Sequence, residues 1–161
     1  MNPEAIVLAT RVRAELADLE IIIERAQRLL AKAAQDEDYL DGVALNLHSF
    51  YTGAERILED IAREIDGVIP TGPDWHRNLL IQMSAEVKTI RPLVIQHDTR
   101  LCLDNYRGFR HVVRNVYTFN LKPTRLKELV DGLADCYEDL SNNIQQFCDF
   151  LEASTESDSS R

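Results

Sequence analysis

Apolar side chains recur every three or four positions over three long stretches of this chain, and that period dictates a bundle of helices. Over residues 3–35, Ile6, Ala9, Val12, Leu16, Leu19, Ile23, Ala26 and Leu30 repeat at helical spacing, which lays down one wide apolar stripe. Arg11, Asp18, Arg25 and Lys32, seven apart, keep the other side wet. Pro3 suits a first helical turn, where its missing N–H costs nothing. A polar break at Gln35–Asp38 separates this helix from a second, over about residues 39–65, whose stripe is Val43, Leu47, Phe50, Ala54, Ile57, Leu58 and Ile61. Two antiparallel helices of this length form a hairpin about 40 Å long. The third stretch follows Pro123 and runs from near Thr124, with Leu126, Leu129, Val130, Leu133, Tyr137, Leu140, Ile144, Phe147 and Leu151 facing inward.

Between these lie shorter elements. Gly67-Val-Ile-Pro-Thr-Gly-Pro73 is the one dense cluster of turn residues and reads as a loop. A helix follows over about residues 75–87 and is broken before Pro92. Asp74 offers it an incomplete cap, because Arg77 stands where a capping-box Glu would be. A fourth helix occupies about residues 95–117, and residues 119–124 form a turn. No alternating strand pattern and no repeat is visible. The expectation is an all-α fold, an up-and-down bundle of four to five helices. Residues 1–153 form its single domain, and the Ser- and acid-rich residues 154–161 form a disordered tail.

The chain has 161 residues, enough for a core without staples. Cys102, Cys136 and Cys148 are scattered, odd in number and without metal-ligand spacing, which reads as buried small hydrophobes in a reducing compartment. No Glu-x-x-His pair suggests a metal in the bundle, so neither metal nor cofactor is expected. With no secretory signal and no apolar run of membrane-spanning length, the expected location is cytoplasmic and away from membranes. The net charge is −9, which argues against indiscriminate binding of polyanions. Residues 97–127 run against that balance: Arg100, Arg107, Arg110, Arg114, Lys122, Arg125 and Lys127 face only Asp98 and Asp104.

The centre of the basic stretch is Arg107-Gly-Phe-Arg-His-Val-Val-Arg-Asn-Val-Tyr117. At about 100° per residue, Arg107, Arg110, His111 and Arg114 share one side of a helix, flanked by Asn115 and Tyr117. Phe109, Val112, Val113 and Val116 take the opposite side. Guanidiniums bind phosphate bidentately, and imidazole is the side chain suited to moving a proton near neutral pH. RNA self-cleavage needs these two things: a base for the 2′-hydroxyl and cations for the crowded phosphorane. One helix is a shallow platform, whereas two copies facing across a two-fold axis make a basic cleft.

These residues resemble the hallmark of the HEPN superfamily, particularly HepT-like toxins encoded beside a small nucleotidyltransferase antitoxin. That hallmark is Arg, a polar residue, three or more further residues, His, one residue, Tyr. Arg110 matches the Arg, His111 the polar position and Tyr117 the Tyr, while Asn115 stands in place of the His. The resemblance spans about residues 5–151. It implies a HEPN-like bundle, a metal-independent endoribonuclease whose site forms in a homodimer cleft, and silencing by transfer of AMP to the Tyr.

Asn cannot take a proton at neutral pH. Either His111, one turn earlier, has taken over, or nuclease activity is weak or lost. Arg107 and Arg114 then read as substrate contacts, or as partners of acidic helices or of another protein. Two readings follow: an RNA-cleaving toxin, favoured by His111 beside Arg110, and an inactive helical dimer that binds a nucleotidyltransferase, favoured by Asn115. Elsewhere packing is the simpler reading. His48 and Tyr51 belong to the second helix, Trp75 and His76 form a lid over the bundle end, and His97 lies nearly three turns from Arg107.

Overall fold

The computed structural model describes residues 2–115 and 121–159, with the side chains of 111–115 and 156–159 outside the description. Among the described residues the chain builds five helical rods: α1 (Pro3–Ala33), α2 (Leu40–Ile61), α3 (Trp75–Met83), α4 (His97–Asn115), and a last rod divided into α5 (Pro123–Asp131) and α6 (Leu133–Ser159). The all-α, up-and-down bundle is as the periodicity predicts. An isolated antiparallel bridge joins Val87 and Arg91.

Asn2 caps α1 by accepting from the Glu4 N–H, one position before Pro3. After α1 ends, Asp36 accepts from the Asp38 N–H and starts a single tight turn over Glu37–Tyr39. Helices α1 and α2 are antiparallel: Gly53 lies under Leu19, Gly42 under Leu29, and Arg11 reaches Asp60 and Glu64. A Cβ at Gly53 would come within 2.6 Å of Leu19 Cδ2, so the missing side chain is what lets the two helices approach. Helix α6 packs antiparallel on the other flank of α1, with Arg13 bonded to Gln145, Asp149 and Glu152, and the Tyr137 hydroxyl donating to the Leu16 carbonyl.

The predicted stripe of α2 is buried throughout, and so is that of α5 and α6 except for half-buried Tyr137. Each fully buried large apolar side chain contributes about 1.5–3 kcal/mol. In α1 the stripe is rotated slightly: Ala5 and Leu8 are buried while Ile6 is exposed.

Several expectations are corrected. Helix α2 does not simply run to Ile65. Its last turn widens over Ala62–Asp66 and closes with the Gly67 N–H donating to the Ala62 carbonyl. Gly67 ends it at φ 73°, a left-handed conformation that glycine adopts without a Cβ clash. Helix α3 stops at Met83, four residues early, because Arg91 organises the segment after it. The guanidinium of Arg91 is fully buried, bidentate to Asp66 at 2.6 and 2.7 Å, and also donates to the Ala85, Pro92 and Gln82 carbonyls.

At the C-terminal end, α6 runs to Ser159. Thr155 is buried and its hydroxyl donates to the Leu151 carbonyl. The cysteines are also corrected. Cys102 on α4 and Cys136 on α6 have Cα atoms 5.9 Å apart, within bridging range, and are joined as a disulfide. Cys148 is the free and buried one, and burial pushes its thiol up. No described helix is long and apolar enough to cross a membrane.

Candidate functional site

Three helices converge around Arg110. Helix α2 carries Tyr51 and Glu55 four residues apart, hence on one face. Both are buried, although Glu55 is an acid in line with the core residues Leu47 and Leu58. Helix α4 carries Arg107 and Arg110 on its half-buried side. Helix α3 begins immediately after the Pro/Gly loop and so places Trp75 and His76 in its first turn. Asp74 stands at the N-cap position but makes no side-chain cap there, contrary to the partial cap expected of it.

The packing beneath fixes these positions. Phe50 and Tyr106 meet edge to face with ring centroids 5.3 Å apart, joining α2 to α4. The Tyr106 hydroxyl donates to the Leu129 carbonyl at 2.6 Å, joining α4 to α5, and burial pushes its phenol up to about 12. The Val94 and Ile95 N–H groups both donate to the Met83 carbonyl, which ties the end of α3 to the entry of α4.

A chain of polar contacts crosses this packing. Glu55 Oε2 lies 2.6 Å from His76 Nδ1, and His76 Nε2 lies 3.1 Å from Arg110 Nη1. The Glu55 side chain is 7% exposed and that of His76 21%, so the carboxylate forms the floor and the imidazole the rim. The Trp75 ring stacks against His76 with centroids 3.7 Å apart. A guanidinium has only N–H donors, so His76 Nε2 must be an acceptor. This contact geometry puts the imidazole hydrogen on Nδ1, where it donates to Glu55. Burial and then the Glu55 carboxylate push the Tyr51 phenol far above its ordinary range, while Arg107 and Arg110 pull it back. The Tyr51 hydroxyl and Arg110 Nε are both buried without a hydrogen-bond partner among the described residues.

The arginines differ in what neutralises them. Arg107 Nε is bonded to Asp104 at 2.7 Å and Arg63 to Glu59, each on its own helix, Arg91 to Asp66, and Arg11 and Arg13 to acids on neighbouring helices. Arg110 bonds an imidazole and, among the described residues, no carboxylate. Arg107 also lines, with Lys122 and Arg125, a groove of about 440 Å³ between α4 and α5.

Of the residues singled out by sequence, Arg107 and Arg110 share one flank of α4. His111, Arg114 and Asn115 follow on the same helix, their side chains outside the described residues, and Tyr117 lies outside the described residues altogether. His97 is held by Arg100 on its own helix, away from this cluster. His76 is the residue that sequence reasoning misplaces: it is not merely a lid but a direct partner of Arg110. Glu55 is missed outright, though an unpaired acid inside an apolar stripe was a usable signal. Among the described residues, no group of three or more His, Cys, Asp and Glu side chains is placed to hold a metal ion.

The sequence pattern of the family described as HepT-like protein matches residues 42–151, about two thirds of the chain. The chain belongs to the HepT-like family. The matched span of this HepT-like chain begins in α2 and ends in α6, so it contains Glu55, His76, Arg110 and the segment through Tyr117. No curated protein and no solved structure matches the chain.

Proposed function

We propose that this HepT-like protein is a metal-independent endoribonuclease toxin. It works as a homodimer whose α4 helices line a shared basic cleft, and a cognate nucleotidyltransferase antitoxin silences it by transferring AMP to Tyr117. The observation that carries this reading is the state of Arg110, a guanidinium on a site-facing helix that bonds an imidazole and no acid among the described residues. We take its charge as open to an anionic ligand, in contrast to the buried Arg91, which is paired with Asp66.

In this reading Arg110 binds the scissile phosphate, and Arg107 and Arg114 extend the contact along the RNA backbone. Asn115 orients substrate by hydrogen bonds, and a histidine takes the 2′-hydroxyl proton, His111 being the one that the motif segment offers. The 2′-oxygen is the nucleophile, so no activated water is needed.

Incubation of the purified protein with labelled RNA in EDTA tests this. The expected products carry a 2′,3′-cyclic phosphate and a 5′-hydroxyl, and a 2′-deoxyribose immediately 5′ of the scissile phosphate blocks cutting. Undiminished cutting of the deoxy substrate overturns the mechanism. The second reading, an inactive helical dimer that binds a nucleotidyltransferase, is favoured by one observation, the Asn at position 115. Absence of cleavage together with a stable complex with the nucleotidyltransferase selects it.

A further inference from the structure

We infer that His76, aligned by the buried Glu55, is the imidazole that takes the 2′-hydroxyl proton beside Arg110, so that α3 rather than the motif helix supplies the base. This rests on the nuclease reading above and names the group that the reading requires. Three observations carry it. The ring is held from both sides, Nδ1 by Glu55 at 2.6 Å and Nε2 facing Arg110 at 3.1 Å, which leaves the acceptor lone pair on the nitrogen nearest the phosphate-binding cation. Glu55 is nearly inaccessible while His76 reaches the surface, which is the order an orienting acid and a working base require. Finally, the contact that occupies Nε2 comes from the residue that would move to the substrate. A phosphate arriving at Arg110 draws the guanidinium toward itself and frees the lone pair.

The step needs no oxidant, reductant or metal, and water serves only to carry a proton. His76 Nε2 removes the proton of the 2′-hydroxyl, and the 2′-oxygen forms a bond to the adjacent phosphorus. The P–O5′ bond breaks with its electron pair on the 5′-oxygen, which takes a proton from water. The hydroxide so formed recovers the proton from His76. Arg110 offsets the charge gathering on the phosphoryl oxygens. Glu55 touches no reacting atom and is a positioning residue: it keeps the hydrogen on Nδ1 and the ring in plane.

The test compares wild type with His76→Gln and His76→Gly on labelled RNA in EDTA, with circular dichroism and dimer mass confirming the fold of each. Gln at 76 keeps an amide to bond its neighbours but cannot accept a proton. The expected result is a loss of 10²-fold or more for both His76 variants, with partial recovery of His76→Gly by added imidazole. Nitrogen NMR of the labelled wild type should in addition find the His76 hydrogen on Nδ1. Near-wild-type cutting by His76→Gln, or a hydrogen on Nε2, overturns this inference and leaves the nuclease reading standing. If wild type cuts no RNA, the nuclease reading falls and this step falls with it.

Discussion

At the scale of single residues, the chemistry turns on how charge is matched or left over. Arg110 is valuable because of its planar fork of donors, which an ammonium does not reproduce. Arg110→Lys keeps the positive charge yet should lower the cleavage rate at least about tenfold, read as kcat/KM on a short RNA. Glu15 on α1 shows the opposite imbalance. Its Oε2 is buried without a hydrogen-bond partner among the described residues, and burial, then Asp60, raises its carboxyl above the ordinary 4.5, against the pull of Arg11 and Arg56. A raised folded value means that the native state prefers the protonated acid. The associated stability is present below 4.5 and is lost as pH rises through the folded value. Glu15→Gln should therefore raise the thermal midpoint at pH 7 by about 1–3 °C, with the gap to wild type closing at pH 4. Legibility at this scale was uneven. Arg110 stands out because its neighbours in sequence are basic too. His76 and Glu55 do not, because the contacts that matter join positions 34 and 21 residues apart on three different helices. Periodicity tells which face of a helix is buried, not which polar group from another helix meets it there.

At the scale of elements, the long helices were legible because their stripes keep a 3.6-residue period, and the errors lie where that period carries no information. The division at Gly132 is invisible since Leu129, Val130 and Leu133 are buried in one phase across it. Backbone hydrogen bonds also continue through, from Gly132 to Glu128 and from Cys136 to Gly132. The early end of α3 was hidden for another reason. It depends on Arg91 turning inward to Asp66 across 25 positions, and a sequence shows Arg as a surface residue by default. That pair fixes the segment between α3 and α4, and with it the approach of His76 to Arg110. Asp66→Asn leaves the buried guanidinium without its counter-charge and should cost about 3–5 kcal/mol, measured by urea denaturation. Because the loss is positional as well as energetic, the His76 ring resonances should broaden or shift in the same variant.

At the scale of the whole molecule, an acidic protein presents a local basic flank, and one flank alone is shallow. Association through α4 would double the cations around one phosphate, so light scattering at tens of micromolar should give a mass of about twice 18.4 kDa. Charge reversal at Arg107 should slow RNA association and flatten its dependence on salt. A monomer at that concentration removes the shared cleft. The bridge between Cys102 and Cys136 has a topological consequence for this flank. It closes residues 102–136 into a covalent ring that contains Arg107, Arg110, His111, Arg114, Asn115 and Tyr117. A protease that cuts once between Leu103 and Asp135 therefore releases no fragment. The oxidised, nicked chain should migrate as a single band of full mass on a denaturing gel and separate into two pieces only after a thiol is added.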